Sequence, residues 1–221
     1  MAVLAFDIDG TIYDAGNILF SAFEKGIASF IKKSHHNELT IPDHDAIMAV
    51  VGIPIGEIFT ILFPSLTTEE KLQLNNLCTD YLVEAIEAKE GIIFSDVAEI
   101  LKQLYEGGHK IHVASNGRKE YIEAILQTYD LMKYFSSPFV YLNDQIDDKT
   151  AIVSTYIDTF GDDIVIMVGD RFTDREAAEK NNIPFIACEF GHGADELEGC
   201  RYIVKSFSEI PEMIKKIEGE G

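Results

Sequence analysis

The chain is short of cysteine: of 221 residues only Cys78, Cys188 and Cys200 are thiols. An odd number without C-x-x-C spacing suits neither a disulfide framework nor a zinc site, so three reduced thiols are expected. Basic residues are scarce too, 18 Lys and Arg against 38 Asp and Glu, for a formal charge of −20. Such a field repels phosphate backbones and anionic lipid over most of the surface, which argues against nucleic acid as a partner. An anionic small ligand would need a local cation or a few placed N–H groups to overcome it. No uninterrupted apolar run approaches the ~20 residues of a bilayer-spanning helix. The first apolar run has no basic segment ahead of it and stops at Asp7, unlike a secretory leader. A cytoplasmic protein without a membrane partner is the expectation. Repeats, low-complexity tracts and long linkers are also missing, and only the tail "KKIEGEG" is expected to fray.

What is present is a chain of 47% hydrophobic residues, enough to exclude disorder and to fill a real core. Short β-type runs recur at 3–6, 111–115, 139–142, 164–168, 184–188 and 202–204. Their nearly continuous apolar character marks strands buried on both faces of a parallel sheet. Helix-period segments lie between most of them, among them "SDVAEILKQLYEGG" (95–108), with Ser95 placed to cap and Gly107 to terminate, "RKEYIEAILQTY" (118–129) and "TDREAAEKNN" (173–182). The alternation predicts an α/β, doubly wound domain. From about residue 17 to 89 the alternation stops and only helical patterns remain: an apolar stripe through 19–31, and a long segment opened by Thr67 with Glu70 three residues on, a capping box. This predicts a core domain of residues 1–15 and 90–221 with an inserted helical cap domain, 16–89, the chain crossing between them near 15 and near 90.

Ligands of open α/β sheets bind beyond the carboxyl ends of the strands. There the first strand delivers Asp7, Asp9, Gly10 and Thr11, the second Ser115 and Asn116, the fourth Gly169, Asp170, Arg171 and then Asp174, while Lys149 opens a helix after the third. Crowded carboxylates either raise their pKa values or hold a cation, and an oxygen-only donor set suits Mg²⁺. Lys110 and Lys180 read as solvated charges, Arg171 as a structural ion pair, His35 and His36 as an exposed polar turn, and His192 as part of a glycine-flanked turn.

"DIDGT" (7–11), "ASN" (114–116), Lys149 and "GDRFTD" (169–174), in that order and spacing, resemble the four motifs of the haloacid dehalogenase (HAD) superfamily of phosphohydrolases. The helical insertion is similar to that family's C1 cap. "VVGIPIGEIFTILFP" and "GDRFTDREAAEKNNIPFIACEFGHGADEL" most resemble the phosphoglycolate-phosphatase-like branch. The resemblance implies a Rossmann-like core and a Mg²⁺-dependent phosphatase that hydrolyses a small phosphorylated metabolite, a phosphomonoester, through an aspartyl-phosphate. It implies Asp7 as nucleophile and Asp9 as general acid and base. Mg²⁺ ligands would be an Asp7 oxygen, the Asp9 carbonyl and Asp170, with Asp174 as a further ligand. The phosphate would be held by Ser115, the Asn116 N–H and Lys149; Thr11 stands with them, loop stabilisation being its other reading. The cap loop 51–56 would reach the active site, Gly52 permitting close approach to substrate. One departure is that no proline follows Lys149. A sugar phosphomutase and a non-catalytic phosphometabolite-binding module are the alternatives, and the sequence leaves monomer or homodimer open.

Overall fold

The computed structural model describes residues 1–34, 36, 38–50, 53, 55–143 and 145–220. In chain order the regular elements are β1 (Ala2–Phe6), β2 (Tyr13–Asp14), α1 (Gly16–Ser34), α2 (His44–Met48), α3 (Ile55–Leu62), α4 (Thr68–Glu87), β3 (Ile92–Ile93), α5 (Val97–Glu106), β4 (Lys110–Val113), α6 (Lys119–Thr128), α7 (Lys149–Phe160), β5 (Ile164–Gly169), α8 (Phe172–Asn181), β6 (Phe185–Cys188), β7 (Tyr202–Val204) and α9 (Ile210–Glu220). Five strands form one parallel sheet in the order β4-β1-β5-β6-β7. It is an α/β doubly wound sheet flanked by helices, as the alternation predicts.

Both faces of the sheet are buried, and successive residues of β1 serve opposite faces. Leu4 and Phe6 join Ile166 and Val168 in the larger core, whereas Val3 and Ala5 join Val165 and Met167 against Ile152, Val153 and Tyr156 of α7 and Ala177 and Ala178 of α8. The register sets Phe6 level with Val113 on one side and with Val168 on the other. Residues that follow these three positions therefore emerge side by side at one rim.

Among the described residues four helices stand between β2 and β3, and these two-residue strands pair antiparallel where the chain leaves and re-enters the α/β unit. Both are too short to show a period in the sequence. Among the four helices α1 and α4 pack most closely. A Cβ on Gly26, in mid-α1, would lie 2.8 Å from the Cys78 Cα, so the helix carries a glycine that costs about 1 kcal/mol in propensity in exchange for close approach. Phe23 stacks on Phe59 at 5.6 Å. The capping box of α4 is formed: Thr67 N–H donates to Glu70 Oε2 (2.8 Å) and Glu70 N–H to Thr67 Oγ1 (3.3 Å). His36 braces the same spot, its ring nitrogens 2.6 Å from Glu38 and 2.7 Å from Glu70.

Two local expectations change. Residues 139–142 form no strand. Pro138 has no N–H for a ladder, and beside the edge strand β4 the passing chain makes a single backbone bond, Ser136 N–H to Ile111 O at 2.7 Å. The apolar character of the segment serves packing, since Val140 is buried against the α7 face. Helix α5 is preceded by Asp96 in the left-handed region, φ +66°, with no side-chain cap, so Ser95 does not cap it, although Gly107 does end it.

Candidate active site

The rim is assembled from three neighbouring strand ends. Asp7 follows β1 and is fastened by its N–H to Val168 O of β5 at 2.9 Å. The chain then turns sharply: the Ile8 carbonyl accepts from the N–H groups of Thr11, Ile12 and Tyr13, and Gly10 takes φ +75°, a conformation costly for any residue with a Cβ. A Cβ at Gly10 would also lie 2.1 Å from Asp170 Oδ2. The turn thus carries Asp9 away from Asp7 and lets the backbone lie against Asp170.

Asp170 follows β5 and is fully buried. Its Oδ2 accepts from the His192 N–H (2.6 Å) and the Gly193 N–H (3.3 Å), and Thr11 Oγ1 donates to Oδ1 at 3.5 Å. Thr11 is itself fully buried, its hydroxyl turned to this carboxylate. Asp174, in the first turn of α8, accepts the Arg171 N–H at 2.9 Å through Oδ2 and the Lys149 ammonium through Oδ1. Lys149, the first residue of α7, is 3% exposed. Its Nζ sits 3.0 Å from Asp7 Oδ1, and so bridges Asp7 to Asp174. Ser115 and Asn116, beyond β4, are buried at the same rim. Ser115 Oγ accepts the Gly117 N–H at 3.1 Å, which leaves its O–H to donate elsewhere.

The electrostatics follow from crowding. Carboxylate oxygens of Asp7, Asp170 and Asp174 all lie within 4.8 Å of one another. Burial first, then the Asp7 charge, pushes Asp170 and Asp174 up to about 7. Against the effect of burial, Asp174 and Asp7 hold the Lys149 ammonium above its ordinary range. Asp9 is half-buried by area but hemmed in by protein atoms. Burial lifts it to about 7, with the Asp7 charge adding to the rise, while a hydrogen bond from Tyr121 Oη (2.5 Å to Oδ1) opposes both.

Of the residues picked from sequence, Asp7, Asp9, Thr11, Ser115, Asn116, Lys149, Asp170 and Asp174 thus converge on one rim. Asp174 is brought there as the ion-pair partner of Lys149, with both oxygens engaged. Gly52 lies outside the described residues. Arg171 grips Glu196 through Nε (3.0 Å) and Nη2 (2.9 Å), the structural pair expected of it. Sequence reasoning missed Tyr121, which is 112 residues from Asp9 and marked by no motif, and the 192–193 backbone, whose N–H groups no side-chain pattern reports. His192 also places Nε2 3.4 Å from Asp14 Oδ1. A cavity opens from Asp7, Asp9, Ser115 and Lys149 to the helices α1–α4. Among the described residues no helix is long and apolar enough to cross a membrane.

The strand ends of this parallel sheet thus gather three buried carboxylates, a buried lysine and a serine hydroxyl into one acidic rim, the oxygen donors a hard cation would take. Residues 4–188 match the family model of the haloacid dehalogenase-like hydrolases, and the chain belongs to that family. The phosphoglycolate phosphatase of Caulobacter vibrioides is 24% identical over 219 residues, covering 95% of this chain and 89% of its own. That of Mesorhizobium japonicum is 24% identical over 200 residues, covering 86% and 83%. A haloacid dehalogenase-like family hydrolase from Streptococcus pneumoniae, 18% identical, has a similar fold with a TM-score of 0.77 over 97% of this chain and 98% of its own.

Proposed function

We propose that the protein is a Mg²⁺-dependent phosphatase of a small phosphomonoester, acting through an aspartyl-phosphate on Asp7. The observation that carries this reading is the division of labour between two nearby carboxylates: Asp7 contacts the Lys149 ammonium at 3.0 Å, while Asp9 sits apart against Tyr121 with its pKa near 7. In-line phosphoryl transfer needs a nucleophile, donors for the equatorial oxygens and a proton for the leaving group. Asp7 attacks phosphorus, and the bond to the ester oxygen breaks. Ser115 O–H, the Asn116 N–H and Lys149 offset charge on the transferring group. Asp9 gives its proton to the departing alkoxide, then takes one from the water that opens the aspartyl-phosphate. A pKa near the working pH suits a group that must do both.

The donor chemistry fits a hard divalent cation: three buried carboxylates meet with one lysine among them, and oxygen donors are what Mg²⁺ takes. Asp7, Asp170 and the Asp9 carbonyl would hold it, Asp174 remaining behind as the anchor of Lys149. When bound, the cation supplies neutralisation of charge between the carboxylates and the phosphate. Residues 16–89 act as a cap whose closure excludes water. Turnover of p-nitrophenyl phosphate with Mg²⁺, its loss in EDTA, and its abolition in Asp7→Asn with unchanged circular dichroism are the expected results. Near-wild-type activity of Asp7→Asn refutes the nucleophile.

A further inference from the structure

The wall of the cavity that faces Asp7 and Asp9 carries an unassigned chemical signature. It is built by Leu19 and Phe23 of α1, Ile47 of α2, Ile58 of α3 and Leu82 of α4, all buried. Two polar residues interrupt it, Asn75 and Thr79, which are 8% and 5% exposed and sit one turn apart on α4. Neither side chain hydrogen-bonds another described residue, so an amide and a hydroxyl remain available inside an apolar cup. Among the described lining residues the cations are Lys149, tied to Asp7 and Asp174, and Arg118, which donates to Asn76 Oδ1 and, at 3.3 Å, to Glu120. The wall therefore offers the far end of a substrate no unpaired positive charge.

Resting on the phosphatase reading above, we infer that the leaving group is an uncharged, largely apolar alcohol with one or two hydrogen-bonding groups, and that a leaving group bearing a carboxylate, as glycolate does, is rejected. Burying a carboxylate here forfeits its hydration where the lining cations are already engaged, Lys149 by Asp7 and Asp174 and Arg118 by Glu120 and Asn76, in a protein already at −20. An alkyl or aryl group gains from the same wall by leaving water. Asn75 and Thr79 receive a hydroxyl, carbonyl or ring nitrogen of the alcohol, which departs neutral once it has taken the Asp9 proton.

The test is a set of steady-state measurements on the Mg²⁺-loaded wild-type protein with benzyl phosphate, 4-carboxybenzyl phosphate, 4-(hydroxymethyl)benzyl phosphate and 2-phosphoglycolate. Benzyl phosphate is expected to exceed both carboxylates in kcat/KM by at least about tenfold, because the uncompensated charge costs more than one decade of affinity. Asn75→Leu is expected to lower the ratio of kcat/KM for the hydroxymethyl ester to that for benzyl phosphate by about three- to tenfold, the effect of one neutral hydrogen bond. Equal or better turnover of either carboxylate overturns the inference and leaves the phosphatase reading standing. Failure to hydrolyse any of these esters and p-nitrophenyl phosphate alike overturns both. The comparison of benzyl with carboxybenzyl ester needs no variant, so a folding defect in Asn75→Leu does not shield the inference.

Discussion

Replacing Lys149 with methionine removes the ammonium that pairs with Asp7 and Asp174 while keeping most of the side-chain volume. Lys149 is 3% exposed and its Nζ meets Asp7 at 3.0 Å and Asp174 more closely still. At an effective dielectric of ~20 the Asp7 contact alone is worth about 5 kcal/mol of attraction, much of it offset by the desolvation of the buried charges. Taking away one partner leaves that desolvation uncompensated, a net loss of about 3–5 kcal/mol, or roughly 10 °C in Tm for a chain of this length. The loss also has a pH signature. Asp170 and Asp174 have folded pKa values raised from 3.8 to about 7. Such groups favour the fold below their ordinary value and lose that contribution as pH rises through about 7. Without Lys149 the three carboxylates repel one another unrelieved, so the deficit is greatest above pH 7 and shrinks toward pH 5. Urea denaturation in EDTA across pH 5–8 measures it, and Mg²⁺ is expected to restore part of the stability at pH 8. A variant as stable as wild type at pH 8 in EDTA refutes the idea that Lys149 neutralises this cluster.

Tyr121→Phe deletes the hydrogen bond that opposes the rise of the Asp9 pKa; a bond to a charged group is worth about 1.5–3 kcal/mol, so the pH profile of kcat is expected to move alkaline by roughly one unit or more. Superimposable profiles would show that Tyr121 acts only in packing. Gly10→Ala meets both the +75° backbone and Asp170 at 2.1 Å, and isothermal titration is expected to show Mg²⁺ affinity weakened by at least about tenfold, since the displaced carboxylate belongs to the proposed donor set. His112, 1% exposed among Tyr156 and Phe160, has its pKa lowered from 6.5 first by burial. Its contribution to stability is present above 6.5 and is lost as pH falls below it, so His112→Phe is expected to flatten the decline in urea midpoint between pH 6.5 and 5.

The sequence by itself determined the parallel core, the helical interval and the order in which reactive residues reach the rim. Strands buried on both faces must be apolar throughout, and the residue after such a strand is the first free to be polar, which is why Asp7, Ser115 and Asp170 stand out on the line. Tertiary structure alone decided which of these groups touch. Nothing local marks Asp174 as a mate of Lys149, because that pairing depends on α7 and α8 opening side by side on the sheet. Tyr121 reaches Asp9 across the gap between β4 and β1, a proximity set by strand order and invisible to any periodicity. The apolar stripe through 19–31 reads simply as core, yet Leu19 and Phe23 also face the cavity. Periodicity reports that a helix face is covered, but only packing reveals whether protein or open space lies against it.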